Sequence, residues 1–391
     1  MEPLFEKICR QLELGAPLSP PVPITGGLLH RMFALHTAKG RFALKLLNPS
    51  IMARETAMEN YAVAEELERR LEEKSIPILG AITFGGQKMQ KTDGQFFYLF
   101  PWYEGRAMQP DEITESHCQT VGALLAALHA AGYEDGTGRF DSCENRFNDS
   151  VLRDDEQASS AQYPDAENRS NDPQEKSGNS FCYSLKAQKP EEPPAQGISI
   201  PWDTYIERME AHHGELSQLL ARNRALLYES QAKGNQAMGK ISSLRTICHN
   251  DLDYKNILWN NGSCRIIDLE CLSWGNPFFE LYETALYWSG YERDCIDPHL
   301  MERFLHAYRQ AGGLLPEDWA AYYDGCYGRL EWLAYNMDRV LDENTDSAER
   351  SIGLQEIPKT IAHIVCYRQS RDTILRCLEP FTYRPGPTRY R

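Results

Sequence analysis

The stretch His249-Asn250-Asp251-Leu252-Asp253-Tyr254-Lys255-Asn256-Ile257-Leu258, followed by Ile266-Ile267-Asp268-Leu269-Glu270, decides the reading of this chain. It sets a carboxylate, Asp251, and a side-chain amide, Asn256, on one loop. A second carboxylate, Asp268, ends the apolar strand Arg265-Ile266-Ile267. Asp251 can accept a proton from a hydroxyl. Asn256 and Asp268 offer hard oxygen atoms of the kind Mg²⁺ takes when waters and phosphates supply its other ligands. Transfer of a phosphoryl group asks a protein for an aligned hydroxyl and for neutralised phosphate charge, and little covalent work beyond that.

Outward from this stretch, the chain divides by pattern. Leu4, Phe5, Ile8 and Leu12 recur at helical spacing, so a short helix leads. The Pro-rich run 19–23 must be extended, and Gly26-Gly27 breaks the chain ahead of two strand-like runs, 32–37 and 41–47, joined at Ala38-Lys39-Gly40. Residues 51–74, rich in Glu, Ala, Leu and Arg, predict one helix ending before Ile76-Pro77. Short strands are expected at 78–84, 87–91 and 95–100. Beyond Gly105 the pattern turns helical, over 111–131, 203–228, 278–289, 299–311, 317–341 and 353–378. The expectation is an α+β, two-lobe fold with a small β-rich N-lobe (1–104) and a large, mostly helical C-lobe (105–391). Residues 141–200 interrupt the second lobe. They are poor in apolar residues, rich in breakers, and read as a disordered insertion.

The 391 residues, 42% hydrophobic and 25% charged, are enough for two ordinary globular cores. No run of about 18 apolar residues is present, so no membrane span is expected. The acidic start, Met1-Glu2-Pro3, lacks the order of a signal peptide. The 11 cysteines are scattered, with no Cys-x-x-Cys pair, and read as free thiols of a cytoplasmic protein. A net charge of −15 disfavours nucleic acid and anionic membranes as partners, and no obligate protein partner is inferred. It suits a cationic small molecule only weakly, because residues 141–200 alone carry 12 acidic against 6 basic side chains.

Lys45 stands in the middle of the apolar strand Phe42-Ala43-Leu44-Lys45-Leu46-Leu47, and an ammonium flanked by buried residues needs a partner. The run His-x-Asp-x-x-x-x-Asn, then a hydrophobic pair and Asp, resembles the catalytic and metal-binding core of kinases. With Ile-Ile-Asp-Leu-Glu where protein kinases have Asp-Phe-Gly, the chain resembles the aminoglycoside phosphotransferase/choline kinase superfamily. The resemblance covers most of the chain outside 141–200. It implies a protein-kinase-like fold that uses ATP (or GTP) with Mg²⁺, and a small-molecule hydroxyl as acceptor.

Carried over residue by residue, Asp251 is the expected base and His249 a support for its loop, with Asn256 and Asp268 the metal ligands. Lys255 lies where a cation can reach the γ-phosphate. Lys45 would contact the α/β-phosphates and a helix glutamate. Glu65 is chosen as that glutamate because it shares a face with Met58, Tyr61 and Ala62, with Glu59 as runner-up. Gly26 and Gly27 occupy the place of the nucleotide-covering loop. In Phe97-Tyr98-Leu99-Phe100-Pro101-Trp102-Tyr103, which resembles the interlobe hinge, the Pro101 carbonyl and the Tyr103 N–H would meet adenine. Pro277 and the aromatics of 274–281 read as packing, and Glu280 stands where many relatives carry Asp.

Glu331, Tyr335 and Asp338 fall at i, i+4, i+7 spacing and are the expected acceptor-facing residues; a solvated acidic face gives the same pattern. Fold and motif do not choose among aminoglycosides, choline, sugars or homoserine. Two alternatives compete. A protein kinase would close its activation segment with Ala-Pro-Glu, and none follows Asp268. A non-catalytic nucleotide-binding module would usually lack one of Lys45, Asp251, Asn256 or Asp268.

Overall fold

A computed structural model of the chain describes residues 3–24, 30–133, 197–291 and 296–384. Gly26 and Gly27 lie outside these residues, as does the expected insertion 141–200 up to residue 196. The last four residues of that predicted insertion are ordered. Ile198 exchanges hydrogen bonds with the Asn235 side chain at 2.8 Å each way, and Ile200 donates to Gln231 at 3.0 Å.

The N-terminal part is one antiparallel sheet of five strands, in spatial order β1-β2-β3-β5-β4. The strands are β1 (Val22–Ile24), β2 (Arg31–Thr37), β3 (Gly40–Leu46), β4 (Gln90–Thr92) and β5 (Gln95–Pro101). Alternation along β2 and β3 sends Leu35, Leu44 and Leu46 inward. There they join Phe97 and Leu99 of β5 and the apolar face of α1 (Leu4–Gln11), Ile8 and Cys9. The register puts Lys45 opposite Met32 on one side and Tyr98 on the other.

The helix expected over 51–74 is two, α2 (Pro49–Met52) and α3 (Ala57–Glu73). Asn48 caps α2 by accepting from the Ser50 N–H at 2.9 Å. Tyr61, Ala64, Leu67 and Leu71 form the buried stripe of α3. The expected strand at 78–84 is instead a crossover between the lobes. Ile266 donates to the Pro77 carbonyl at 2.9 Å, Leu79 donates to that of Ile266 at 2.8 Å, and Ile82 to that of Leu99 at 2.7 Å.

The remainder is mostly helical. α4 (Glu115–Ala131) runs against α8 (Pro298–Gln310), with α7 (Pro277–Trp288) beside them; Leu125, Leu128, Trp288, Phe304 and Tyr308 are fully buried there. A second core unites α5 (Trp202–Glu210) and α6 (Gly214–Met238) with α10 (Gly328–Leu341) and α11 (Ser347–Gln369) around Trp202, Met209, Leu333 and Ile357. α9 (Trp319–Gly325) and α12 (Arg371–Leu378) complete the set. Three helices expected as continuous are therefore broken, at 211–213, 326–327 and 370. Between these helices lie two short antiparallel pairs. β6 (Thr246–Cys248) pairs with β9 (Ser273–Gly275), and β7 (Ile257–Asn260) with β8 (Ser263–Ile266).

Among the described residues no helix is long and apolar enough to cross a membrane. The expectation of free thiols holds for Cys9, Cys118, Cys248, Cys264, Cys326, Cys366 and Cys377, but Cys271 is disulfide-bonded. Pairing depends on the approach of two Cα atoms in the fold, which spacing along the chain does not reveal.

α4 and α8 approach at Gly122, where an added Cβ would lie 2.3 Å from the Phe304 carbonyl oxygen. That neighbour is backbone and cannot step aside cheaply. Gly122→Ala is expected to destabilise the protein by about 1–3 kcal/mol, the usual range for overpacking. A urea-unfolding midpoint equal to that of the wild type would contradict this packing.

Candidate active site

The loop of residues 249–256 leaves β6 and returns into β7, and backbone strain marks its start. Asn250 has φ 64° and Asp268 φ 65°, a region most side chains avoid. Asn250 is held there by its own amide. The Nδ2 group donates to the carbonyls of Cys248 (3.2 Å) and Cys271 (2.6 Å) and to the Ser273 hydroxyl (3.0 Å).

A single carboxylate anchors the same turn from below. Glu280 of α7 accepts from the backbone N–H groups of His249 and Asn250, both at 2.7 Å, and from His129 Nε2 of α4 at 2.8 Å. His129 Nδ1 in turn meets the Tyr308 hydroxyl at 2.8 Å. Burial would raise the pKa of Glu280, but the His129 hydrogen bond and the other donors outweigh it and hold the carboxyl below its usual range. His129, Cys248 and Glu280 place their ligand atoms within 4.8 Å of one another. Both Glu280 oxygens and both His129 nitrogens are already engaged in hydrogen bonds, so this cluster serves as a brace for the loop rather than a metal centre.

Within the loop, the Asn256 amide donates to the Asp251 carboxylate at 2.8 Å and to its carbonyl at 2.7 Å. Its nitrogen thus spent, Asn256 keeps its side-chain oxygen for another partner. Two backbone contacts press the loop against the strand that ends in Asp268. The Ile267 N–H donates to the Asn256 carbonyl at 2.9 Å, and His249 Nε2 donates to the Ile267 carbonyl at 2.9 Å. The residue before Asp268 is thereby tied to the loop that bears Asp251 and Asn256. Lys255 lies beside them, its ammonium 2.6 Å from Asp253 and 3.7 Å from Asp251. From α7, Trp288 Nε1 donates to the Leu252 carbonyl at 3.0 Å.

Lys45 reaches into this group from the sheet. Its ammonium is 2.5 Å from Asp268 and 2.5 Å from Glu270. Burial alone would lower its pKa; the two carboxylates more than reverse this and raise it above the ordinary value. Lys45 in return lowers the pKa of Asp268 against the opposing effect of burial.

The expected partner, Glu65, is elsewhere. It accepts from the Tyr98 hydroxyl at 2.8 Å and the Met89 N–H at 3.1 Å, and no ion pair joins it to Lys45 among the described residues. The counter-charge comes instead from Glu270, which sequence reading quoted but gave no role. His30, Tyr61, Glu280 and His129 were likewise not assigned to the site. Glu59, the runner-up, is exposed.

At the lobe junction, Pro101 ends β5 opposite Phe42. The Arg41 guanidinium lies 4.2 Å over the Trp102 ring, and the Tyr103 hydroxyl is 3.0 Å from that of Ser263. Glu331, Tyr335 and Asp338 share an exposed face of α10. There Asp338 accepts from Tyr205 at 2.8 Å, and the Tyr335 hydroxyl accepts from Arg339 at 3.2 Å. Although Glu331 is exposed on that face, desolvation of its carboxyl by surrounding atoms, with Glu283 nearby, raises its pKa.

Comparison with known proteins gives the site a context. Residues 21–324 match the model of the phosphotransferase enzyme family. Compared by sequence with curated proteins, the chain matches none. Among solved structures it resembles a spectinomycin phosphotransferase in complex with ADP and spectinomycin, with a TM-score of 0.60 at 12% identity over 93% of this chain and 98% of that one. An amicoumacin kinase in complex with AMP-PNP and Ca²⁺ gives 0.53 at 12% identity, with 92% of each chain covered. A choline/ethanolamine kinase family protein from Mesorhizobium loti gives 0.50 at 13% identity, over 93% and 99%. These likenesses establish the two-lobe, protein-kinase-like fold.

The brace under the loop yields a prediction. Glu280→Gln leaves one of three buried donors facing an amide N–H, so it should cost about 1–3 kcal/mol at pH 7. The folded-state pKa of Glu280 is lowered. Its contribution is therefore complete above the unfolded value of about 4.3 and is lost as pH falls through the folded one. Urea midpoints of variant and wild type should converge only as pH falls below the unfolded value and through the lowered folded one. A gap independent of pH would show that Glu280 does not act as a buried anion.

Proposed function

The chain belongs to the phosphotransferase enzyme family, and from that premise we propose that it transfers the γ-phosphoryl group of ATP or GTP to a hydroxyl of a small acceptor, with Asp251 as base. The observations that support this reading are the Asn256–Asp251 contact and the Lys45–Asp268 ion pair, tied to each other by the Ile267–Asn256 backbone bond. In the step, the acceptor oxygen bonds to the γ-phosphorus as the bond to the β-phosphate oxygen breaks. The hydroxyl proton passes to Asp251, and the nucleoside diphosphate leaves.

Each residue has a defined part. Asn256 fixes the rotamer of Asp251 through its amide. Lys45 would hold the α/β-phosphates, and Lys255 lies close enough to Asp251 to contact the γ-phosphate. The Pro101 carbonyl and the Tyr103 N–H would take adenine, and Gly26 and Gly27 would cover the phosphates. The donor set fits a divalent cation: the Asn256 side-chain oxygen and the Asp268 carboxylate are hard ligands, and Mg²⁺ prefers few such ligands beside phosphate oxygens. Bound there, Mg²⁺ would neutralise the charge on the transferring group. Reliance on a nucleoside triphosphate fits a cytoplasmic enzyme.

The acceptor is a small hydroxyl compound, as the names of the similar spectinomycin phosphotransferase and amicoumacin kinase suggest for theirs. The neighbouring carboxylates of Glu283 and Glu331 favour a cationic one, because a positive group relieves their mutual repulsion. Tyr335 and Asp338 extend that face.

Nucleotide consumption against aminoglycosides, choline, ethanolamine, amino-alcohols and sugars is expected to reveal at least one accepted class. With that acceptor, Asp251→Ala should lower kcat by about 10²–10⁴-fold while nucleotide binding changes little. A rate within tenfold of wild type would remove Asp251 as base. Nucleotide binding without turnover against the whole panel would favour a non-catalytic module.

A further inference from the structure

We propose that Glu270, and no glutamate of α3, is the residue that positions Lys45 for the nucleotide phosphates; this rests on the phosphotransfer reading above.

The two carboxylates on Lys45 are not equivalent. The Asp268 side chain is 35% exposed and opens to the cleft, whereas that of Glu270 is 14% exposed. Glu270 is also held from its far side. His30 Nδ1 accepts the Asn48 N–H at 2.9 Å, so the proton of the neutral ring sits on Nε2. Nε2 lies 3.1 Å from a Glu270 oxygen. The Tyr61 hydroxyl, 3.2 Å from the same nitrogen, closes the group. Glu270 thus spans from His30 to Lys45, between the entrance of β2 and the end of β3, although it belongs to the other lobe.

Charge balance then separates the roles. A buried ammonium must keep a counter-ion. When Asp268 turns to a cation carried by the nucleotide, Glu270 is the carboxylate left to hold Lys45. The helix has none to offer. Glu65 is taken by Tyr98 and Met89, as described above. Glu68 accepts from Lys88 and the Ala81 N–H, both at 2.7 Å, and Glu72 from Lys88 at 2.7 Å. The exposed Glu66 pairs with Arg69 at 2.6 Å.

The test uses the full chain and two measurements, calorimetric binding of ADP and of a non-hydrolysable ATP analogue with Mg²⁺, and steady-state kinetics with an accepted acceptor. Glu270→Gln is expected to weaken nucleotide binding and raise the nucleotide KM by tenfold or more, with a smaller change in kcat and an unchanged Mg²⁺ requirement. Glu65→Gln should leave nucleotide KM within twofold. Unchanged nucleotide binding in Glu270→Gln, or a rise in KM for Glu65→Gln instead, would overturn the proposal. So would a shift in Mg²⁺ requirement matching that of Asp268→Asn, which would make Glu270 a metal ligand. Should Glu270→Gln fail to fold, His30→Leu serves: it spares both charges and removes the polar brace. A severalfold rise in nucleotide KM supports the proposal and an unchanged KM refutes it. Failure of the wild type to bind Mg²⁺-nucleotide at all would remove the phosphotransfer reading itself, and the proposal with it.

Discussion

A carboxylate taken out of water loses several kcal/mol of solvation unless donors replace it. Glu280 meets that demand with three N–H groups drawn from two elements, the 249–256 loop and α4. The cost of burying one charge therefore fixes the geometry of the loop. The loop that bears Asp251 cannot drift from α7 without stranding an anion. Trp288 adds a second tie to Leu252 eight residues further along α7. The core around Leu125, Phe304 and Tyr308 keeps α4, α7 and α8 together, and the loop inherits its position from them.

The same constraint acts on Lys45 with the opposite sign. A lysine in the middle of a sheet strand needs an anion, and here it is supplied from the other lobe rather than from the helix packed on the sheet. Asp268 sits at φ 65°, two residues past the end of β8, and Glu270 follows two residues later in a short 3-10 turn. The turn lets both side chains reach the same ammonium, whereas alternate residues of an extended strand share a face but stand about 6.6 Å apart.

What the sequence made legible divides along similar lines. Period-two alternation located β2 and β3, and period-3.6 stripes located most helices, because these patterns follow from burying one face. The breaks at 211–213, 326–327 and 370 escaped notice since none is marked by proline. The apolar run 78–84 looked like a strand because a crossover buried between two lobes needs the same side chains. Asp251, Asn256 and Asp268 could be singled out because they share one continuous stretch, whose two halves the Ile267–Asn256 backbone bond ties together. Glu65 was the instructive miss. Helical spacing grouped it with Met58, Tyr61 and Ala62, but it meets Tyr98, which is directly opposite Lys45 in the register. The error was one strand wide, about 4.8 Å, a distance that helical spacing does not resolve.

That displacement has a mechanical consequence. If the helix glutamate held the lysine, any outward swing of the helix would disable the phosphate site. In this chain α3 is pinned independently, by Glu65 to β5 and the Met89 backbone and by Glu68 to Lys88 and Ala81. Gly80 lies so near this cluster that a Cβ would come within 2.6 Å of the Glu68 carboxylate and closer still to Glu72. Glu68, Lys88 and the intervening backbone leave the helix no low-cost direction in which to rotate. On the proposed phosphotransfer reading, the lysine's environment would then change by exchange of partners at Asp268, while Glu270 and His30 stay in place. Such a site would be assembled by folding, and nucleotide binding would have only to displace one ion pair for another.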